Sequence, residues 1–372
     1  MRVLHVLSDD DRRGAQVFAA DLHRQLLALG HESRLSALQP GDVGGIDAHV
    51  LGRSRWDPRG ALGLRREMQW ADVSIAHGSS AVLACAVVGS RSRRRWVVRQ
   101  ISETSFWVDR PSRVRRVRWY CGRANGVVAL SASAAEDLAL IVGVDPARVR
   151  VIPNGVPLGP FEDLVAGDPY PGERRPDERS PGEREPAGRV RLVAVGALVA
   201  EKGMDVAIGS IAELPEAELV VLGAGPERDR LERLARQRCP GRVRFLGSVP
   251  DVPRHLASAD AMLLASRGGD SMPAVLIEAG FAGLPAVSTD VGAISDVVLD
   301  GVTGFVVARD DHVGFDAAVR RLVEDEALRS RFGTAAREHC RSTFEIGTVA
   351  RQWADHLGSV GGAPSGEHPV HE

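Results

Sequence analysis

Short apolar runs alternate along the chain with longer segments whose apolar positions recur every three or four residues. "RVLHVLS" reads as a buried parallel strand, and the amphipathic stretch 15–29 that follows reads as a helix ended by Gly30. The pattern continues through "DAHVLG", a helical stretch to Trp70, "ADVSIAH", a small-residue helix to Val88, "RRWVVRQ", a basic helix and "GVVALS". In "SAAEDLALIVG", Ser133 with Glu136 three residues later predicts a capping box, and "RVRVIPNGV" predicts a strand that runs into a turn. Strand then helix, repeated, predicts a parallel sheet covered on both faces.

At 157–188 the pattern stops. "GDPYPGERRPDERSPGEREPAG" is rich in Pro, Glu and Arg and nearly devoid of apolar residues, which predicts a disordered interdomain insertion. Alternation then restarts with "RVRLVAVG", "AELVVLGAG", "RVRFLG", "DAMLLAS", "LPAVST" and "TGFVV", each separated by a helical segment. The expected organisation is a Rossmann-like domain at 1–156, a second at 189–345, a helix at 346–357 that packs back toward the first, and a disordered tail at 358–372.

Composition narrows the class. A chain of 372 residues exceeds one ordinary core and suits two domains. A net charge of −2 supplies no global attraction to nucleic acid, and no recognition motif is found, so no nucleic-acid partner is expected. Four scattered cysteines (Cys85, Cys121, Cys239, Cys340), with no CxxC pair, fit reduced thiols. The N-terminal apolar run meets acid at once in "MRVLHVLSDDD", unlike a signal peptide, and no window approaches about eighteen apolar residues, so a cytoplasmic location is expected.

Of the 47 Lys and Arg residues, one is lysine: Lys202, in "VGALVAEKGMDVAIG". An ammonium is a compact charge that meets several phosphate oxygens, whereas guanidinium demands a planar fork. Between the first strand and first helix, "SDDDRRGAQ" lacks the GxGxxG of a dinucleotide dehydrogenase, which removes the main support for hydride transfer. The run Asp9, Asp10 and Asp11 reads as an acidic loop in preference to a metal-binding pair. In "RGGDSMPAVLIEAG", the loop acid Asp270 and the helical Glu278 bracket a helix N-terminus at Pro273, a place suited to an anion or a hydroxyl-rich ligand. Read alone, the same residues also describe a capping acid and a solvated Glu.

Together with "VIPNGV", "VGALVAEKG", "LGAGP", "FLGSV" and "ADVSIAHGSSA", the run "DSMPAVLIEAGFAGLPAVSTDVGAISDVV" resembles the retaining glycosyltransferases of family 4, and the resemblance extends over most of the chain. It implies the GT-B fold, an α/β architecture of two Rossmann-like doubly wound parallel-sheet domains facing a cleft. Asp270 stands where the family usually has Glu, and Ala197 where it has the diphosphate-binding Arg; Arg267 is the candidate to reach the diphosphate instead. By the same resemblance, Lys202 binds the diphosphate, Glu278 the ribose, and Asp270, Ser271, Met272 and Pro273 the sugar, while Val249 gives backbone contacts to the base. Gly14 belongs to the family's glycine loop near the donor phosphate, Gln16 to the acceptor side, and His77 is the active-site His.

The resemblance implies a hexosyl- or N-acetylhexosaminyl-transferase that takes a nucleoside-diphosphate sugar as substrate and retains configuration. The leaving phosphate assists deprotonation of an unidentified acceptor, with no cofactor and no essential metal. A sugar-nucleotide epimerase on the same scaffold and a catalytically weak nucleotide-sugar-binding relative are the rival readings. The arginines of 91–123, with Val114 and Val117 three apart, predict an amphipathic basic helix. A solvated face and peripheral contact with anionic lipid at the inner membrane face both fit that helix.

Overall fold

The computed structural model describes residues 1–54, 57–92, 94–101, 108, 110–162 and 189–362. Residues 163–188 of the expected insertion, 363–372 of the expected tail, Arg93 and the side chain of Arg91 lie outside the described residues, whereas the first residues of that insertion form the short helix Gly159–Glu162 and the last helix runs on to Gly361. The chain divides into two compact units, Met1–Val156 with Phe344–Glu372, and Pro157–Thr343.

The first unit is built on β1 (Arg2–Leu7), β2 (Glu32–Ala37), β3 (His49–Val50), β4 (Val73–His77), β5 (Trp96–Arg99), β6 (Gly126–Ala129) and β7 (Val149–Val151), in the order β3-β2-β1-β4-β5-β6-β7. Neighbours pair in parallel throughout. Both faces are covered, so these strands read as nearly continuous apolar runs. On one face Leu4, Val6, Ala76 and Val98 pack against Leu64, Met68, Val117 and Tyr120. On the other, Val3, Val73, Ile75 and Val97 meet Phe18 and Leu22 of the helix Gly14–Ala28. That second face also receives Ile346, Val349 and Trp353 of the C-terminal helix Ile346–Gly361. Trp353 is wholly buried, so this last helix is part of the first unit's core.

The second unit is built on β8 (Val190–Val195), β9 (Ala217–Leu222), β10 (Val243–Gly247), β11 (Ala261–Leu264), β12 (Ala286–Thr289) and β13 (Gly304–Val307), in the order β10-β9-β8-β11-β12-β13 and again parallel. Leu192, Ala194, Leu219 and Leu263 pack there against Met204, Ile208, Leu231, Phe315 and Leu322. In each unit the chain starts at a central strand, winds outward to one edge and returns to wind toward the other. The reversal leaves a crevice at the C-terminal ends of two adjacent strands, where open α/β sheets bind ligands. These pairs are β1 with β4 and β8 with β11.

Two local expectations change. "DAHVLG" forms only the two-residue strand His49–Val50. The helix Ala132–Asp137 is capped by Ser131, whose side chain accepts from the Ala134 N–H, and not by Ser133. Ser133 lies inside the first turn and its hydroxyl meets that of Ser131 at 3.0 Å. Among the described residues no helix is long and apolar enough to cross a membrane.

Candidate functional site

In the second unit the loops after β8 and β11 carry the sequence-predicted residues. After β8 the chain makes a 3-10 turn, Ala200–Lys202, and Gly203 follows in the left-handed region at φ 59°. A Cβ on Gly203 would fall 1.9 Å from the carbonyl oxygen of Ala265 at the end of β11. The two loops therefore touch backbone to backbone, and this contact brings the Lys202 ammonium onto the Asp270 carboxylate as an ion pair. The Asp270 residue is 8% exposed. Its Oδ1 takes the lysine, while its Oδ2 is buried with no hydrogen-bond partner among the described residues. An unpartnered buried carboxylate oxygen is costly, by about 1–3 kcal/mol or more, and is an acceptor held ready for a hydroxyl or N–H.

Asp270 leads into the helix Ala274–Ala282, whose N-cap is Pro273 with no side-chain cap and no acid in its first turn. Among the described residues, neither a side-chain cap nor a first-turn acid meets the partial positive charge of that helix end. Met272 is buried, Ser271 and Pro273 are half-buried, and Glu278 lies half-buried in the second turn. The loop is held from behind: Ala293 N–H donates to the Ser271 carbonyl at 2.5 Å, and a Cβ on Gly292 would fall 2.2 Å from the carbonyl oxygen of Asp270. Val249 follows β10 on the same edge, two strand spacings or roughly 10 Å from β8. Lys202 and Asp270 are brought into contact, Ser271, Met272 and Pro273 follow Asp270 directly, Glu278 lies farther along the helix, and Val249 stands apart.

Ala197 is exposed, and Arg267, the candidate to replace the missing arginine, is engaged within the unit. Its guanidinium grips Asp205 through two bonds of 2.9 and 3.0 Å and donates to the Ala200 carbonyl at 2.8 Å. These bonds commit three of the guanidinium's five N–H donors to protein oxygens.

In the first unit the loop after β1 holds itself with its acids. Asp9 accepts from Gln16 Nε2 at 2.8 Å, Asp10 from the Gly41 N–H, and Asp11 Oδ1 from the N–H groups of Val43 and Gly44, each at 2.9 Å. Those backbone donors, Val43 first, pull the Asp11 pKa down to about 2. The acidic run thus holds the loop together, and Gln16, 8% exposed, is tied to it through Asp9. Gly14 opens the helix Gly14–Ala28, and a Cβ there would meet nothing within 4 Å, so no protein atom demands glycine at this position.

His77, the last residue of β4, is placed inside the unit and not at its surface, at 2% exposure. Its Nε2 lies 3.1 Å from Nδ1 of His5 on β1, and the two rings stack 5.3 Å apart. Directly across the register from His77 is Arg99 at the end of β5. Arg99 is also 2% exposed; it donates to the Asn154 side chain and lies 3.8 Å over the Phe18 ring. Its Nε and Nη1, together with His5 Nε2 and His77 Nδ1, are buried without hydrogen-bond partners among the described residues. Burial holds both imidazoles neutral, His5 at about 3 and His77 well below the usual range, with neighbouring His and Arg charge adding to it. Burial also pulls the Arg99 guanidinium down to about 9, which leaves it charged at neutral pH. Sequence reading missed His5, Arg99 and Asn154. The one available signal was parity, since residues 5, 77 and 99 fall on one face of adjacent strands.

Two outcomes follow from this cluster. Replacing a buried guanidinium that meets no carboxylate among the described residues by an apolar chain of similar length removes a desolvated charge, which is often neutral or stabilising by about 1–4 kcal/mol. Arg99→Met is therefore expected to melt no lower than wild type while losing turnover. A variant that melts lower instead would make Arg99 a structural residue only. Acid sensitivity follows from the histidines. The unfolded chain takes protons below about 6.5 that the folded state refuses. Stability is thus full above that pH and falls toward pH 3, by up to about 2.7 kcal/mol per unit for two sites. His5→Asn should remove about half of this slope in denaturant titrations at pH 4–6; an unchanged slope would show that the carboxylates alone set it.

On the opposite side of the sheet, the helix Pro111–Arg123 turns Val117, Tyr120 and Cys121 inward. Arg115, Arg116, Arg118, Trp119 and Arg123 face solvent, and the Arg123 guanidinium lies 4.1 Å over the Trp119 ring.

Comparison with known proteins agrees with this architecture. Two family models divide the chain between them: Glycosyltransferase Family 4 matches residues 12–159 and Glycosyl transferases group 1 matches residues 177–339. Glycogen synthase of Mycobacterium tuberculosis is 26% identical over 93% of this chain and 80% of its own length. D-inositol 3-phosphate glycosyltransferase of Xylanimonas cellulosilytica is 33% identical over 59% of this chain and 53% of its own. The crystal structure of Anabaena HepE in complex with UDP superposes with a TM-score of 0.80, covering 96% of this chain and all of that one at 17% identity, a likeness of fold. Two doubly wound parallel-sheet units, each with its reversal point at the C-terminal sheet edge, define the GT-B class. The chain belongs to glycosyltransferase family 4 and is a glycosyltransferase.

Proposed function

We propose that the chain moves a sugar from a nucleoside-diphosphate sugar to an acceptor hydroxyl with retention of configuration and without an essential metal. The observation that carries this reading is the Lys202–Asp270 pair beside an uncapped helix N-terminus at the β8–β11 reversal point. HepE, of like fold, is also known in complex with UDP-glucose, which favours a diphosphate donor. In the proposed reaction the bond from the anomeric carbon to the leaving phosphate oxygen breaks. The acceptor oxygen bonds to that carbon on the same face, and its proton passes to the leaving phosphate. Negative charge grows on that phosphate, so a fixed ammonium and a helix N-terminus stabilise the transition state more than the ground state.

Glu278 is assigned to the ribose and Asp270 Oδ2 to a sugar hydroxyl, with Ser271, Met272 and Pro273 shaping the sugar's surroundings. Val249 is assigned to the base by backbone contact. His77, being buried, is assigned a positioning role through His5 and Arg99. Contact of the basic helix Pro111–Arg123 with anionic lipid is proposed as a peripheral attachment, to be read by flotation with phosphatidylserine vesicles against neutral ones.

Donor hydrolysis across UDP-, GDP-, ADP- and TDP-sugars tests the reaction, with Lys202→Ala and Glu278→Ala as controls. Slow hydrolysis of one donor, lost in both variants, is the expected result. Isomerisation of free donor would make the enzyme an epimerase, and no binding of any donor would reject the reading.

A further inference from the structure

Arg267 is clipped to both ends of the turn that carries Lys202. Its backbone N–H donates to the Glu201 carbonyl at 2.7 Å and its Nη1 to the Ala200 carbonyl at 2.8 Å, just before the lysine. Its guanidinium then reaches past the lysine to hold both oxygens of Asp205, three residues beyond. That bidentate pair pulls the Asp205 carboxyl below its ordinary range, against burial, and raises Arg267. The neighbours of Arg267 add to the clamp: Ser266 Oγ lies 3.3 Å from the Glu201 carbonyl, and the Ala265 carbonyl occupies the space that a Cβ on Gly203 would fill. Arg267 is separated from Asp270 by Gly268 and Gly269 alone, so one arginine holds the lysine's turn and opens the carboxylate's loop.

We propose that Arg267 and Asp205 form a positioning pair that fixes where the Lys202 ammonium stands relative to Asp270, and that Arg267 is not itself a ligand of the donor diphosphate. The catalytic consequence rests on the reading that Lys202 meets that diphosphate. A lysine on a flexible stem is useful as a fixed charge only if its backbone is fixed, and a planar guanidinium bound to a carboxylate at two points fixes orientation as well as distance.

The single lysine makes the test direct, because selective labelling with 13C,15N-lysine places one side-chain signal in the whole protein. Asp270→Asn defines the position of that signal when its partner is weakened. Arg267→Met and the gentler Asp205→Asn should each move the Lys202 signal toward the Asp270→Asn position, and the double variant should move it no further than either alone. A signal that stays at its wild-type position in Arg267→Met, with the fold intact by melting, would overturn the proposal.

Kinetics with the donor selected by the panel give a second readout. Both single variants should lower kcat about tenfold with KM within about twofold, the signature of a displaced group rather than a lost ligand. Neither should add to the loss in a Lys202→Ala background. A tenfold rise in donor KM for Arg267→Met that Asp205→Asn does not share would make the arginine a ligand and reject the pair. Full turnover by Lys202→Ala would reject the role of the lysine in catalysis, whereas the NMR signal still decides whether Arg267 positions it.

Discussion

Replacing Lys202 by alanine is expected to lower turnover about 10²–10³-fold, by analogy with loss of one preorganised oxyanion donor, or roughly 3–4 kcal/mol of transition-state stabilisation. The size of the effect follows from how positions 197 and 267 stand. Ala197 stands exposed where the family has an arginine, and Arg267 is bound to Asp205 and the Ala200 carbonyl. The same substitution also strands Asp270, already one oxygen short of a partner, with both oxygens unpaired. Stability should therefore fall by about 1–3 kcal/mol. The double variant Lys202→Ala/Asp270→Asn separates the two effects, since it should recover the melting temperature and leave turnover lost. Near-wild-type turnover by Lys202→Ala would sink the assignment, and a double variant that recovers both would reduce the lysine to a structural counter-ion.

Gly203→Ala is expected to be among the most damaging one-carbon changes in the second unit. Alanine at φ 59° costs about 1–2 kcal/mol in backbone strain. Its Cβ would in addition lie 1.9 Å from the Ala265 carbonyl oxygen, a backbone atom that cannot rotate away. The loops after β8 and β11 must then part, for a total cost of about 3 kcal/mol or more. Parting them by an ångström separates Lys202 from Asp270, so turnover should drop by about 10² even in molecules that remain folded. Thermal melts and donor hydrolysis read the two losses separately. A variant that melts like wild type would show that the backbone contact is not tight in solution.

Much of the second-unit site was legible before any coordinates. The spacing from Asp270 through Pro273 to Glu278 places a loop acid and a helical acid around a helix start because helix periodicity and proline's fixed φ are local properties. The uniqueness of Lys202 pointed to a lysine kept for its chemistry, and the fold places it on Asp270. Less was visible in the first unit. His77 was noticed as a strand-end histidine, but its burial depends on what covers that face of the sheet, and the covering residues come from the helices Gly14–Ala28 and Ile346–Gly361. Arg99 read as one arginine among many in a basic stretch, and nothing local distinguishes it from Arg94 or Arg95. Only the parallel register of β4 with β5 sets it beside His77, and only Phe18 and Asn154 explain how it is held.

The amino-acid sequence by itself determined the two α/β units, the strands and helices in order, and the chemical kinds gathered at the second unit's loops. Alternation of apolar runs, turn residues and helix starts acts over a few residues and needs no partner. The tertiary structure decided which loops became neighbours. It put Lys202 on Asp270, set Arg267 on Asp205, and closed His5, His77 and Arg99 into the first unit's interior. Those outcomes depend on strand order and on contacts between residues about 20 to 70 or more positions apart, where the free energy of burial and ion pairing is realised only after the sheet has formed.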